Sequence, residues 1–221
     1  TAIRTGAVSG AATELLARHD ARSVAIIGSG VQARTQLEAV CTVRAIEEVR
    51  IFSLNPDQAK QLAKELAGKG PIPPSITVAP NANSAVEDAD IICTATTSTT
   101  PVFDGTWLKP GAHVNGVGSF TPAMQEIDIP TIKRSLVVVD SRPAALAEAG
   151  DLIIPIENGV ITQDHIAAEL GELVAGIHPG RADSSQITFF KSVGVAVQDA
   201  AAASIAISNA LANALGTTIT L

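Results

Sequence analysis

Apolar positions along the chain follow two alternating rhythms. Short, β-branched runs stand at 23–28 (SVAIIG), 48–53 (EVRIFS), 76–79 (ITVA), 90–96 (DIICTAT), 113–118 (HVNGVG) and 136–140 (LVVVD). Between several of them lie segments with helical spacing: QARTQLEAVCTVRA, PDQAKQLAKELAGK and NSAVEDA, the last with Asn83 or Ser84 as its N-cap. Strands that are apolar throughout suit a parallel sheet covered on both faces. Strand and helix in alternation predict an α/β fold of the Rossmann type, a doubly wound, mostly parallel sheet with helices on both faces. The prolines of GKGPIPPS (68–75) stop the helix before them.

Past residue 142 the rhythm changes, through PAALAEAGDL and TQDHIAAELGELVAG to the strand-like QITFFKS (186–192) and a long final helix. No linker sets this part off, so residues 1–221 are expected to form one domain. The run 193–215 is interrupted by Gln198, Asp199 and two asparagines and reads as a buried, Ala-rich helix rather than a membrane span. Across 221 residues the hydrophobic share is 46% and the net charge -7, without any cluster of Lys or Arg, so nucleic acid is not an expected partner. Cys41 and Cys93 both fall in apolar segments, the pattern of buried reduced thiols, and the start of the chain lacks a signal-peptide layout. A cytoplasmic protein that meets no membrane is expected. His19, His113, His165 and His178 show no metal-ligand spacing, and no nucleophile signature occurs.

The stretch VAIIGSGVQA (24–33) is a strand ending in G-x-G-x-x-A and opening into a helix. Gly28 would allow the tight turn, Gly30 would let the backbone approach a pyrophosphate, and Ala33 would let helix and sheet pack closely. Ser29, Val31 and Gln32 then flank a phosphate on the helix N-terminus. An ordinary βα turn is the competing explanation. The fingerprint further expects an acid at the end of the second strand to bind the ribose 2'-hydroxyl; that position is Ser53, followed by Asn55, and no acid comes before Asp57. Without the acid a 2'-phosphate is not repelled, so the cofactor reading leans to NADP(H) with NAD(H) open. Ser53 and Asn55 could equally cap the helix starting at Pro56.

Several stretches together, TAIRTGA (1–7), GSGVQA (28–33), ADIICTATTSTTPVF (89–103), LKPGAHVNGVGSFTP (108–122), VVVDSR (137–142), EAGDL (148–152) and FKSVGVAVQD (190–199), resemble the ornithine cyclodeaminase/mu-crystallin family. The resemblance runs the length of the chain. It implies a nicotinamide-dependent enzyme acting on a small amino or imino acid, as do the family's ornithine cyclodeaminases, alanine dehydrogenases and reductases of pyrroline- and piperideine-2-carboxylate. In that family an N-terminal domain that grips the substrate carboxylate and forms most of a homodimer interface precedes the TAxRT junction, and it is expected to be missing from this chain.

By the same resemblance, Arg4 and Thr5 touch the cofactor pyrophosphate, Thr96 lies at the carboxyl edge of the sheet, Gly116, Val117 and Gly118 carry backbone against the nicotinamide ribose, and Lys191 and Ser192 meet the nicotinamide carboxamide. Each has a plainer alternative: a surface ion pair for Arg4, a strand-end turn for Thr96 and the glycines, and the N-cap of the last helix for Ser192. Asp140, Glu148 and Asp151 read as structural, and Trp107 as core packing. No catalytic residue is assigned. The family's cyclodeaminases carry an Asp two residues after the Gly of VGSFTP, where this chain has Phe120, whereas its imine reductases often have an apolar residue there. Reduction of a cyclic ketimine carboxylate is therefore the first expectation, ornithine cyclodeamination the second, and a non-catalytic NADP-binding crystallin the third.

Overall fold

The computed structural model describes residues 1–217 and 219. Eight strands form one sheet in the order β3-β2-β1-β4-β5-β8-β6-β7, every neighbouring pair parallel. These are β1 (Ser23–Ile27), β2 (Glu48–Phe52), β3 (Ile76–Val78), β4 (Ile91–Thr94), β5 (His113–Gly116), β6 (Ser135–Val139), β7 (Ile166–Glu169) and β8 (Ile187–Lys191). β1, β4, β5 and β8 are buried at every position, as strands covered by helices on two sides must be, although β5 and β8 carry polar residues inward. Helices α1 (Ala2–Leu16), α2 (Val31–Val43), α3 (Pro56–Leu66), α4 (Ala82–Val86), α5 (Ile129–Arg134), α6 (Arg142–Glu148), α7 (Gly150–Glu157), α8 (Leu170–Val174) and α9 (Ala196–Ala212) complete the order.

Local chemistry sets the helix starts. Asn55 accepts from the Gln58 amide ahead of Pro56, Asp128 from that of Thr131, and Ser141 from that of Ala144. The cap of α4 is Asn81, accepting from the Ser84 amide, rather than Asn83 or Ser84; the Asx side chain reaches two or three residues forward, so the cap precedes the first helical turn. The cap of α9 is Val195 rather than Ser192, whose hydroxyl is turned to Asp140. Two further expectations are corrected. Trp107, in a single 3-10 turn, is 42% exposed and not core, because that turn lies at the rim. α9 has no buried residue: Val197, Ile205, Ile207 and Leu211 are open, since nothing among the described residues packs on that face. No helix of the described residues is long and apolar enough to cross a membrane.

Helix α1 lies against α2 through small residues, where a Cβ on Gly6 would come 2.6 Å from the Thr35 carbonyl oxygen. A polar network ties α1 to the sheet. The Asn115 amide donates to Thr13 Oγ1, and the His113 ring nitrogens contact Thr188 Oγ1 at 2.9 Å and Asn115 Oδ1 at 3.2 Å. Burial, then the charge of Arg181, pushes the His113 pKa down to about 3. A pKa lowered on folding gives stability that is whole above the unfolded value near 6.5 and is lost as pH falls toward 3. Urea unfolding is expected to lose roughly 2 kcal/mol of His113-dependent stability between about pH 6.5 and 5. The same pair of titrations on His113→Gln should lack that part of the slope; an unchanged slope would mean that the histidine is protonated in the fold.

Candidate cofactor site

The carboxyl ends of β1, β2, β4, β5 and β8 open onto one cavity of about 1030 Å³. That is the upper end of the range of ligand pockets, at the edge where open α/β sheets bind ligands. The turn after β1 makes its floor. Gly28 sits at φ +117°, and a Cβ there would come 2.4 Å from the Ala95 carbonyl oxygen, so the fold itself requires this glycine. Gly30 differs. It caps α2 at φ -80°, ψ -171°, extended backbone open to any residue, and a Cβ built on it meets nothing within 4 Å. No contact among the described residues calls for a glycine there; the space beside it is open to the cavity. The first amides of α2 face the same space, a fixed positive end for an anion.

Toward β2 the wall is Phe52, Ser53, Leu54 and Gln58. Ser29 Oγ donates to Ser53 Oγ at 2.9 Å, and the Asn55 amide donates to the same Ser53 hydroxyl. Among the described residues no carboxylate lines this end of the cavity, and none of these wall residues is a cation. Asn55 itself does not line the cavity but caps α3, as its alternative reading held. Arg4 and Thr5 border the cavity from α1, with Gln32 beside them. The Arg4 guanidinium is held by Asp199 (Nε to Oδ1, 3.1 Å) and Gln198, so it is both an ion-pair partner and a cavity residue.

Toward β4, β5 and β8 the lining is Thr96 with the threonines after it, Val117, Gly118, Ser192 and Val193. Phe120, 52% exposed, and Glu148 stand on the same wall. Gly116 is not part of it: a Cβ there would meet the Phe189 ring at 2.8 Å, so packing explains that glycine. Lys191 does not reach the cavity either. It is fully buried, with Nζ 2.9 Å from Asp151 Oδ2, a charge contact off the line of a hydrogen bond. Asp140 accepts from the Ser192 hydroxyl and from the amides of Val193 and Gly194. Asp140 and Asp151 are thus structural carboxylates, as expected, whereas Glu148 borders the cavity.

Glu126 belongs to no motif singled out from the sequence. Fully buried, it accepts five hydrogen bonds: Oε1 from the Thr96 amide (2.6 Å) and hydroxyl (2.8 Å), Oε2 from the Gly118 amide (2.7 Å), the Ser119 amide (3.1 Å) and the Thr94 hydroxyl (3.0 Å). Burial raises its pKa above the ordinary range, opposed by Lys191 and by the bonds from Thr96. Cys41 and Cys93 are free, buried and pushed up to about 12 by desolvation, hence inert. Among the described residues no group of His, Cys, Asp and Glu could hold a metal.

With this geometry in place, the model of the ornithine cyclodeaminase/mu-crystallin family matches residues 1–214. The chain belongs to that family. It is 45% identical to a Δ1-pyrroline-2-carboxylate reductase of Bacillus cereus over 220 residues, 99% of this chain and 67% of the relative. It is 38% identical to the ketimine reductase mu-crystallin of Macropus fuliginosus, over 93% of this chain and 60% of the relative. The solved Δ1-pyrroline-2-carboxylate reductase of Thermococcus litoralis in complex with NADH and L-proline superposes with a TM-score of 0.95 at 47% identity, covering 99% of this chain and 67% of that one. The chain therefore spans about two thirds of the length of these relatives.

Proposed function

We propose that this chain is the nucleotide-binding part of an NAD(P)H-dependent reductase of cyclic ketimine carboxylates, of the pyrroline-2-carboxylate or piperideine-2-carboxylate type. One observation carries the choice within the family: the residue on the cavity wall two positions after Gly118 is Phe120, an apolar side chain, in a chain that resembles pyrroline-2-carboxylate reductases from end to end. The dinucleotide would lie with its pyrophosphate at the α2 N-terminus by Gly30, its adenosine ribose at Ser53 and its nicotinamide near Thr96, Val117 and Gly118. The nicotinamide supplies the hydride when bound. The chain's part is to hold that ring at the sheet edge and to set apolar side chains, Phe120 and Val193, beside it. A small imino acid is the partner this reading calls for, and the family resemblance implies a carboxylate clamp and a homodimer interface in the part of its relatives that this chain does not span. Two inert buried thiols suit a reducing, cytoplasmic setting. The experiment is to follow nucleotide absorbance with pyrroline-2-carboxylate and NADH or NADPH, using a protein that carries this chain at its relatives' full length. Absence of imine-dependent oxidation with either nucleotide would overturn the proposal.

Ser53 bears on the choice of nucleotide. The wall there offers hydroxyls and amides but neither the acid that excludes a 2'-phosphate nor a cation that would demand one. NADPH is expected to bind at least as tightly as NADH, and Ser53→Asp to shift the ratio toward NADH by about tenfold or more through charge repulsion. Fluorescence titration of both nucleotides reads this out. A strong NADH preference in the unmodified chain would point instead to Asp57, in the first turn of α3.

A further inference from the structure

We infer that Glu126 is the positioning residue for the nicotinamide half of the cavity. The inference rests on the reading of this cavity as a nicotinamide dinucleotide site. Glu126 does not itself line the cavity. Its carboxylate instead fixes the two backbone segments that do, the one leaving β4 at Thr96 and the one leaving β5 at Gly118 and Ser119. These segments run side by side so closely that a Cβ on Gly118 would come 2.2 Å from the Thr96 carbonyl oxygen and 2.5 Å from Glu126 Oε1. Two neighbouring strand ends that point amides at one another's space need an acceptor between them, and a carboxylate has acceptors on both sides.

The residue is in turn immobilised. Asp151 Oδ1 accepts from the amides of Glu126 (2.7 Å) and Ile127 (2.9 Å), and Asp151 Oδ2 faces Lys191 at the end of β8. The Ser192 amide, next along, donates to the Gly116 carbonyl oxygen. Three strand ends, β4, β5 and β8, are thereby set relative to one another by two buried carboxylates and one ammonium. At the other end of the cavity, Ser29 and Ser53 are held by their own hydrogen bond and not by Glu126, Asp151 or Lys191; the two ends meet where Gly28 packs on Ala95 and Thr96.

An amide cannot take over. Each oxygen of Glu126 receives at least one backbone N–H, so Glu126→Gln turns an NH₂ against the Thr96 amide in one orientation or against those of Gly118 and Ser119 in the other. Titrating the chain with NADH and with ADP separates the two halves, because ADP carries only the adenosine and pyrophosphate. Glu126→Gln is expected to weaken NADH by about tenfold or more while ADP stays within about twofold. Thr94→Val, which removes one donor and keeps shape and volume, should weaken NADH by about threefold and ADP not at all. ADP binding also reports that each variant is folded. Equal loss of both ligands in the two variants, or no loss of NADH in either, would overturn the inference alone. A parent chain that binds neither ligand would overturn the cofactor reading and this inference with it.

Discussion

Replacing Gly30 by valine is expected to reduce NADH and NADPH binding by at least about 100-fold, some 2.7 kcal/mol, without moving the thermal unfolding midpoint. Both halves of that expectation come from the backbone of one residue. The backbone of Gly30 is extended, a conformation valine prefers, and its Cβ direction is empty to 4 Å. The variant therefore has no reason to be strained. The emptied direction is where a pyrophosphate must come to reach the α2 amides, and two methyl groups would stand in it. Gly28→Val serves as the contrast. It forces a β-branched side chain into φ +117° and against the Ala95 carbonyl oxygen, so it should lower stability itself by several kcal/mol. Nucleotide titration together with a thermal melt on both variants separates the cases. Unchanged affinity in Gly30→Val would show that the space beside it is not the phosphate site.

The glycine pair also shows what could be read from the sequence. G-x-G-x-x-A after an apolar run and before a helical pattern located the turn, because the strand-to-helix geometry and the glycine demand are both local. The all-apolar strands were legible for the same reason. β7 was not: Ile-Ala-Ala-Glu is short and half alanine, and it pairs with β6 by tertiary context. Nor could the position of β8 between β5 and β6 be read, since strand order beyond immediate neighbours is set by how the sheet closes on its helices. α9 misled because an alanine-rich run with a single charge, Asp199, looks like core, while what an apolar face packs against is not written within it.

Glu126 escaped for a different reason. It stands in TPAMQEIDIP, a turn-rich stretch without periodicity, beside one other acid, Asp128, which caps α5. Its importance comes from the convergence of Thr94, Thr96, Gly118 and Ser119, which lie 7 to 32 residues away in the chain. The one local signal was a carboxylate between apolar neighbours Met124 and Ile127, both buried. Lys191 was singled out by resemblance as a cofactor contact, but the alternation of β8 turns its side chain under the sheet edge to Asp151 and leaves Ser192 to face the cavity.

A protein carrying this chain at its relatives' full length is expected to reduce pyrroline-2-carboxylate or piperideine-2-carboxylate at least about 100-fold faster than it turns ornithine into proline. Deaminating ornithine requires an ammonium group to lose its proton before hydride can leave, and further proton movements as the ring closes. A positioned carboxylate typically contributes about 10² to 10⁴ to such steps. At the place where the resemblance puts that carboxylate, the cavity wall presents Phe120, which accepts no proton. A cyclic imine arrives already dehydrated, and protonation of its nitrogen from water in mildly acidic solution makes it electrophilic, so the loss falls on one reaction and spares the other. Glu148 is the one carboxylate on the cavity wall among the described residues, and it is exposed there. Nucleotide absorbance follows imine reduction, and proline production follows cyclodeamination. Ornithine turnover comparable to imine reduction would overturn the argument from Phe120, and Glu148→Gln would then tell whether that carboxylate had supplied the missing base.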